Sequence, residues 1–122
     1  MQLEYVVDIE DKQAVFNHVW NYFIVEKHPK AITGFMCQYF TSDGNKCAFG
    51  CLLTDKSAKR LERKCKGMIV KSLKAKGIIE TNNEQFLGDL QVAHDSNSLA
   101  DIKSSFIEIS KRYRLNVPET PL

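Results

Sequence analysis

The sequence predicts a small, mainly α domain (small α+β), with four or five helices around one core and a short β-hairpin or extended arm before a helix at Cys47. Three observations lead there. Apolar residues recur at steps of three and four through most of the chain, as a helix with one buried face requires. One stretch, "GFMCQYFTSDGNK", has no strong helical run, is rich in Phe and Tyr, and reaches Asp43-Gly44, a dipeptide suited to a tight hairpin turn. At 122 residues, 43% hydrophobic and 26% charged, the chain suits one compact domain, here residues 1–115, followed by a surface tail over 116–122.

Taken in order, Val15, Phe16, Val19, Trp20, Phe23 and Ile24 mark a helix over 12–26, which Pro29 ends. After the aromatic arm, Ala48, Cys51 and Leu52 share a helical face, with Cys47 four residues before Cys51. Leu61, Cys65, Met68, Ile69 and Leu73 continue the spacing, although Gly67 weakens a helix there by about 1 kcal/mol relative to alanine, so this segment is one helix or two. Gly77 is a natural C-cap. Asn82 or Asn83 caps a helix through Phe86, Leu87, Leu90 and Ala93. Leu99, Ile102, Phe106, Ile109 and Tyr113 form the clearest stripe, opened by Ser98 and Asp101 as an acidic variant of a capping box. Past Leu115, "NVPETPL" has two prolines and no periodicity.

Charge narrows the function classes. The net charge is only +2, but nine of the 17 lysines and arginines lie between Lys56 and Lys76, with Glu62 the only acid among them. That segment attracts anions. No nucleic-acid motif accompanies it, so nucleic acid is a poor partner. The start "MQLEYVVDIEDK" lacks the pattern of a signal peptide, and no apolar run suits a membrane span, so a cytoplasmic protein with reduced thiols is expected.

Four groups of residues carry candidate chemistry. Cys47, next to Lys46 at a helix start, has the setting that lowers a thiol pKa, and His94 is its candidate base. Adjacent helical side chains diverge by about 100°, so Gln91 suits His94 better than Asp95 does. Cys37, Cys47, Cys51 and His94 could form a zinc set, but there is no Cys-x-x-Cys knuckle, and thiols filling small spaces explain the pattern better. No metal and no cofactor is expected. Lys56, Arg60, Arg63, Lys71 and Lys74 keep to one side if the helix runs on through Gly67, and such a stripe holds phosphates or is simply solvated. Histidine in a last helical turn is also an ordinary dipole partner.

The segment "CQYFTSDGNKCAFGCLLTD", followed by "FLGDLQVAHD", resembles a group of small, mostly uncharacterised proteins of bacteriophages and prophages. The matching positions include Cys37, Tyr39, Gly44, Lys46, Cys47, Gly50, Cys51, Asp55, Phe86, Gln91, His94 and Asp95, and the likeness covers roughly half the chain. It departs at Lys66, where the relatives tend to carry an acidic residue, so no role needing a carboxylate there carries over. The resemblance implies a phage origin, a shared fold and action in an infected bacterial cell, and it brings no established activity.

The expectation that follows is a pocket with Lys46 and Cys47 on one wall and Gln91, His94 and Asp95 opposite. Tyr39, Arg60 and Arg63 stand at its mouth. Its ligand would be a small anion, plausibly a nucleotide-derived immune signal sequestered without chemistry. One alternative is a cysteine-dependent hydrolase or transferase using Cys47 and His94. Another is an interaction protein that masks a host factor through its basic face. Self-association stays open.

Overall fold

A computed structural model describes residues 2–29, 32–33, 36–96 and 99–118. They form α1 Lys12–Trp20, a π-helical turn Asn21–Val25, strands β1 Ile32–Thr33 and β2 Met36–Cys37, and a 3-10 turn Gly50–Leu52. Four more helices follow: α2 Asp55–Cys65, α3 Val70–Ala75, α4 Glu84–Ser96 and α5 Leu99–Arg112. The fold is mainly helical, as the spacing predicts.

α1 begins where the Asp11 carboxylate accepts the Ala14 N–H at 3.0 Å, a cap worth about 1 kcal/mol. It buries Val15, Phe16, Val19 and Trp20. The helix then widens rather than stopping, with the Glu26 N–H reaching back five residues to the Asn21 carbonyl and Phe23 still in the core. Lys27, at φ 57°, closes it in the left-handed conformation, and the His28 N–H donates to the Tyr22 carbonyl.

The hairpin precedes the Cys47 region but lies earlier than the Asp-Gly dipeptide suggests. Ile32 pairs with Cys37 and Thr33 with Met36 in an antiparallel ladder. Asp43-Gly44 does turn the chain: the Gly44 N–H donates to the Thr41 carbonyl with Gly44 at φ 84°. No strand flanks that turn among the described residues.

Near Cys47 there is no α-helix, only the 3-10 turn that starts at Gly50. α2 begins at the Thr54 cap, whose hydroxyl accepts the Ser57 N–H. The basic segment is two helices. Gly67, at φ 77°, takes a conformation that L side chains disfavour and separates α2 from α3. The continuous basic stripe from Lys56 to Lys74 is therefore broken. Gly77 caps α3 as expected, at φ 73°, with the Ile78 N–H bonded to the Leu73 carbonyl. Asn83 precedes α4, and its side-chain amide donates to the Ile9 carbonyl at 3.0 Å.

α5 buries Ile102, Phe106 and Ile109, and Phe106 meets Phe16 and Phe23 edge-on or tilted. Ser98 lies outside the described residues. The start of the tail is held, since Gln13 exchanges two hydrogen bonds with the Asn116 backbone. The N-terminal segment lies along 52–54, where Val6 N–H donates to Leu52 O and Thr54 N–H to Glu4 O. No described helix is long and apolar enough to cross a membrane.

Candidate functional site

Residues 38–54 connect the hairpin to α2 with almost no regular ladder, so their backbone donors need other partners. Side chains supply them. Glu62 Oε1 accepts the Tyr39 N–H at 2.7 Å, the Thr41 hydroxyl accepts Asn45 N–H, and the Tyr22 hydroxyl accepts Lys46 N–H. Gln91 Oε1 accepts the Phe49 N–H at 3.0 Å, and Cys47 Sγ accepts Gly50 N–H at 3.3 Å. His18 Nε2 donates to the Cys51 carbonyl, while Cys51 Sγ donates to that of Ala48. A hydroxyl, a carboxylate, an amide and a thiol each replace a missing backbone acceptor.

This network decides the fate of the pocket expected between Cys47 and His94. Cys47 and His94 have no exposed surface, Tyr39 is 2% exposed and Gln91 6%. Tyr39 packs edge-on to Phe49 at 6.1 Å and its hydroxyl donates to the Met68 carbonyl. The His94 ring lies against Phe23, 4.8 Å between centroids. The Asp95 and Cys37 side chains lie outside those described. Tyr39, the Cys47 turn and Gln91 do come together, as the sequence suggests, but they pack as a junction around Phe49. The polar atoms of Tyr39, Cys47 and Gln91 serve backbone groups and His94 is closed off from solvent, which corrects the expectation of an open ligand cavity between Cys47 and His94.

The thiols follow the same logic. Burial, with the neighbouring Cys47 thiol adding to it, pushes the Cys51 thiol well above its ordinary range. Cys47 begins no α-helix, so the helix start expected there is absent. Cys47, Cys51 and Cys65 are all buried free thiols. Among the described residues no three His, Cys, Asp or Glu side chains gather as metal ligands would.

The expected cations separate. Lys46 Nζ is 2.5 Å from Asp55 Oδ1 and also donates to the Leu53 carbonyl. That bond from Lys46 holds the Asp55 carboxyl below its usual range. Lys46 thus ties the irregular segment to the first turn of α2. Arg60 Nη1 donates to the Gln2 carbonyl. Lys71 lines an opening between α3 and α4, and Arg63 lines a different, open cleft beside α2.

That cleft, of about 390 Å³, lies between α2 and the turn after Tyr39. Lys59 and Arg63, one helical turn apart, face Thr41 and Ser42, and Lys59 Nζ is 5.1 Å above the Phe40 ring. Neither cation has an ion pair among the described residues. Glu62 also lines the cleft, and one oxygen of its carboxylate accepts the Tyr39 N–H. Lys59, Phe40, Thr41 and Ser42 were not singled out by sequence. The signal was the i, i+4 spacing of Lys59 and Arg63 opposite a turn with two hydroxyls. No family model, curated protein or solved structure matches this chain.

Proposed function

We propose that the chain binds a small anionic ligand in the cleft between α2 and the Thr41-Ser42 turn, without altering it. One observation carries the reading: Lys59 and Arg63 face two hydroxyls while one oxygen of the nearby Glu62 carboxylate accepts a backbone N–H. A phosphate placed there gains charge-assisted hydrogen bonds from both cations. Phe40 and the hydroxyls offer an aromatic surface and polar partners to the remainder, the combination a nucleotide requires. The phage resemblance extends the proposal to sequestration of a nucleotide-derived immune signal in the cytoplasm of an infected bacterial cell.

Ligand that binds only the folded state raises stability by about 2.7 kcal/mol at a hundredfold excess over its Kd. A thermal-shift screen of nucleotides and cyclic signalling nucleotides therefore tests the reading. At least one stabiliser is expected, recoverable unchanged after heat denaturation. Arg63→Glu and Lys59→Glu should each remove the shift and leave the unliganded protein folded. A chemically altered compound would point to the hydrolase alternative with Cys47 and His94, which draws little support from side chains closed off from solvent. A complete absence of stabilisers would favour the interaction protein, whose basic face would be the exposed Lys56, Lys59, Arg63 and Lys64 of α2.

A further inference from the structure

A second opening, of about 420 Å³, runs between the start of α3 and the middle of α4. Its edges are Ile69, 61% exposed, and Val92, 64% exposed, which are the two most exposed large apolar side chains described. Between them lies Gly88, in the interior of α4. Glycine lowers the stability of a helix interior relative to alanine. Nothing in the fold calls for it here, because no heavy atom lies within 4 Å of where a Cβ would stand. The bare backbone leaves a slot bordered by the apolar Ile69, Val70 and Val92, with Gln85 and Gln91 beside it, and the slot is open from outside.

Charge selects the occupant. Glu84 is 3.6 Å from Lys74 Nζ, and Asp89 Oδ2 takes Arg112 Nη1 at 3.0 Å and the Tyr113 hydroxyl at 2.6 Å. Both carboxylates of the groove thus have a cationic partner within the chain. Lys71 also lines it, is exposed, and has no ion pair among the described residues. The volume falls in the range of about 300–1,000 Å³ typical of small-ligand sites. We propose that this groove binds an amphipathic carboxylate, its straight apolar chain lying over Gly88 between Ile69 and Val92 and its anionic head at Lys71. This site is separate from the α2 cleft and does not depend on it.

The test is an amide-shift titration of the full chain with decanoate, kept below its aggregation concentration, and with decyltrimethylammonium as the same chain bearing the opposite charge. Saturable shifts at Val70, Gly88 and Val92 are expected with decanoate and much weaker ones with the cation. Lys71→Gln should weaken decanoate about tenfold, the loss of one charge-assisted bond, and Val92→Asp should abolish binding. Gly88→Ala provides the sharpest discrimination: the free protein should melt higher while its affinity for decanoate falls. Equal binding of the two amphiphiles, unchanged affinity in Lys71→Gln or Gly88→Ala, or no saturable shift would each overturn the proposal.

Discussion

The side-chain oxygen of Gln91, on α4, accepts the backbone N–H of Phe49 at 3.0 Å across 42 positions of sequence. Both residues are buried, so water cannot replace this bond. Gln91→Leu should destabilise the protein by about 2 kcal/mol, because it leaves a buried donor unmet. Urea unfolding measures this. Gln91→Glu keeps an acceptor but buries a carboxyl whose neutral form is favoured. Its stability should be greatest at acid pH and fall as the pH rises through the raised pKa.

Gly50 has no room for a side chain, since a Cβ there would collide with the Tyr39 carbonyl oxygen. The obstacle is backbone, so a rotamer change cannot relieve it. Gly50→Ala should cost about 3 kcal/mol and lower the thermal midpoint, whereas Gly44→Ala meets no neighbouring atom and carries only the strain of its φ of 84°.

Tyr113 donates to Asp89, and its phenol is pushed up from 10.0 to about 12, by burial first and then by the Asp89 carboxylate. The folded state therefore holds this proton more tightly than the unfolded chain does. Its stabilising contribution is fully present below about pH 10 and is lost as the pH rises from there through about 12. An absorbance titration of tyrosinate should show Tyr113 among several late-titrating phenols, since burial raises Tyr5 and Tyr22 as well, and Asp89→Asn should move the Tyr113 component down without removing the part due to burial.

Buried thiols predict slow chemistry. Cys47, Cys51 and Cys65 should resist iodoacetamide in the native protein and react once urea unfolds it, as peptide mass spectrometry can follow residue by residue. Rapid native modification of Cys47 would reverse this expectation and favour the enzyme alternative.

Helices that bury a single stripe were legible in the sequence, because periodicity reports burial directly. Val15, Phe16, Val19 and Trp20 on α1, and Ile102, Phe106 and Ile109 on α5, are buried as their spacing predicts. Gly77 was legible as a cap for a different reason: its left-handed φ is a conformation that composition can signal. The π-helical turn was not legible, since widening the helix leaves Phe23 in the core and changes no residue type. Two-residue strands are too short to show alternation, which is why the hairpin was sought at Asp43-Gly44 rather than at 32–37.

For the candidate site the difficulty was chemical. Gln91, Cys47 and Tyr39 are the residue types that line pockets, and equally the types that satisfy the backbone of an irregular segment. Sequence shows the donors and acceptors without showing which way they face. The sequence sets Gln91 opposite the Cys47 turn as two walls of a pocket, and it does not show that Phe49 occupies the space between them. The Lys46–Asp55 pair is hidden in the sequence, because Asp55, nine positions later, meets Lys46 only when α2 is capped at Thr54.

The N-terminal segment sets an order of events during synthesis. Glu4 N–H bonds to the Ser57 hydroxyl, 53 positions downstream, and Tyr5 bridges to Leu53. At translation speeds of about 5–20 residues per second, residues 4–6 wait on the order of several seconds before their partners exist. Until then Tyr5 and Val6 lack these partners, and closing so long a loop adds its entropy penalty at the end rather than the beginning. Residues 4–6 are therefore among the last to be secured, and a slow codon stretch before Ser57 would prolong their wait without changing a single contact in the finished protein.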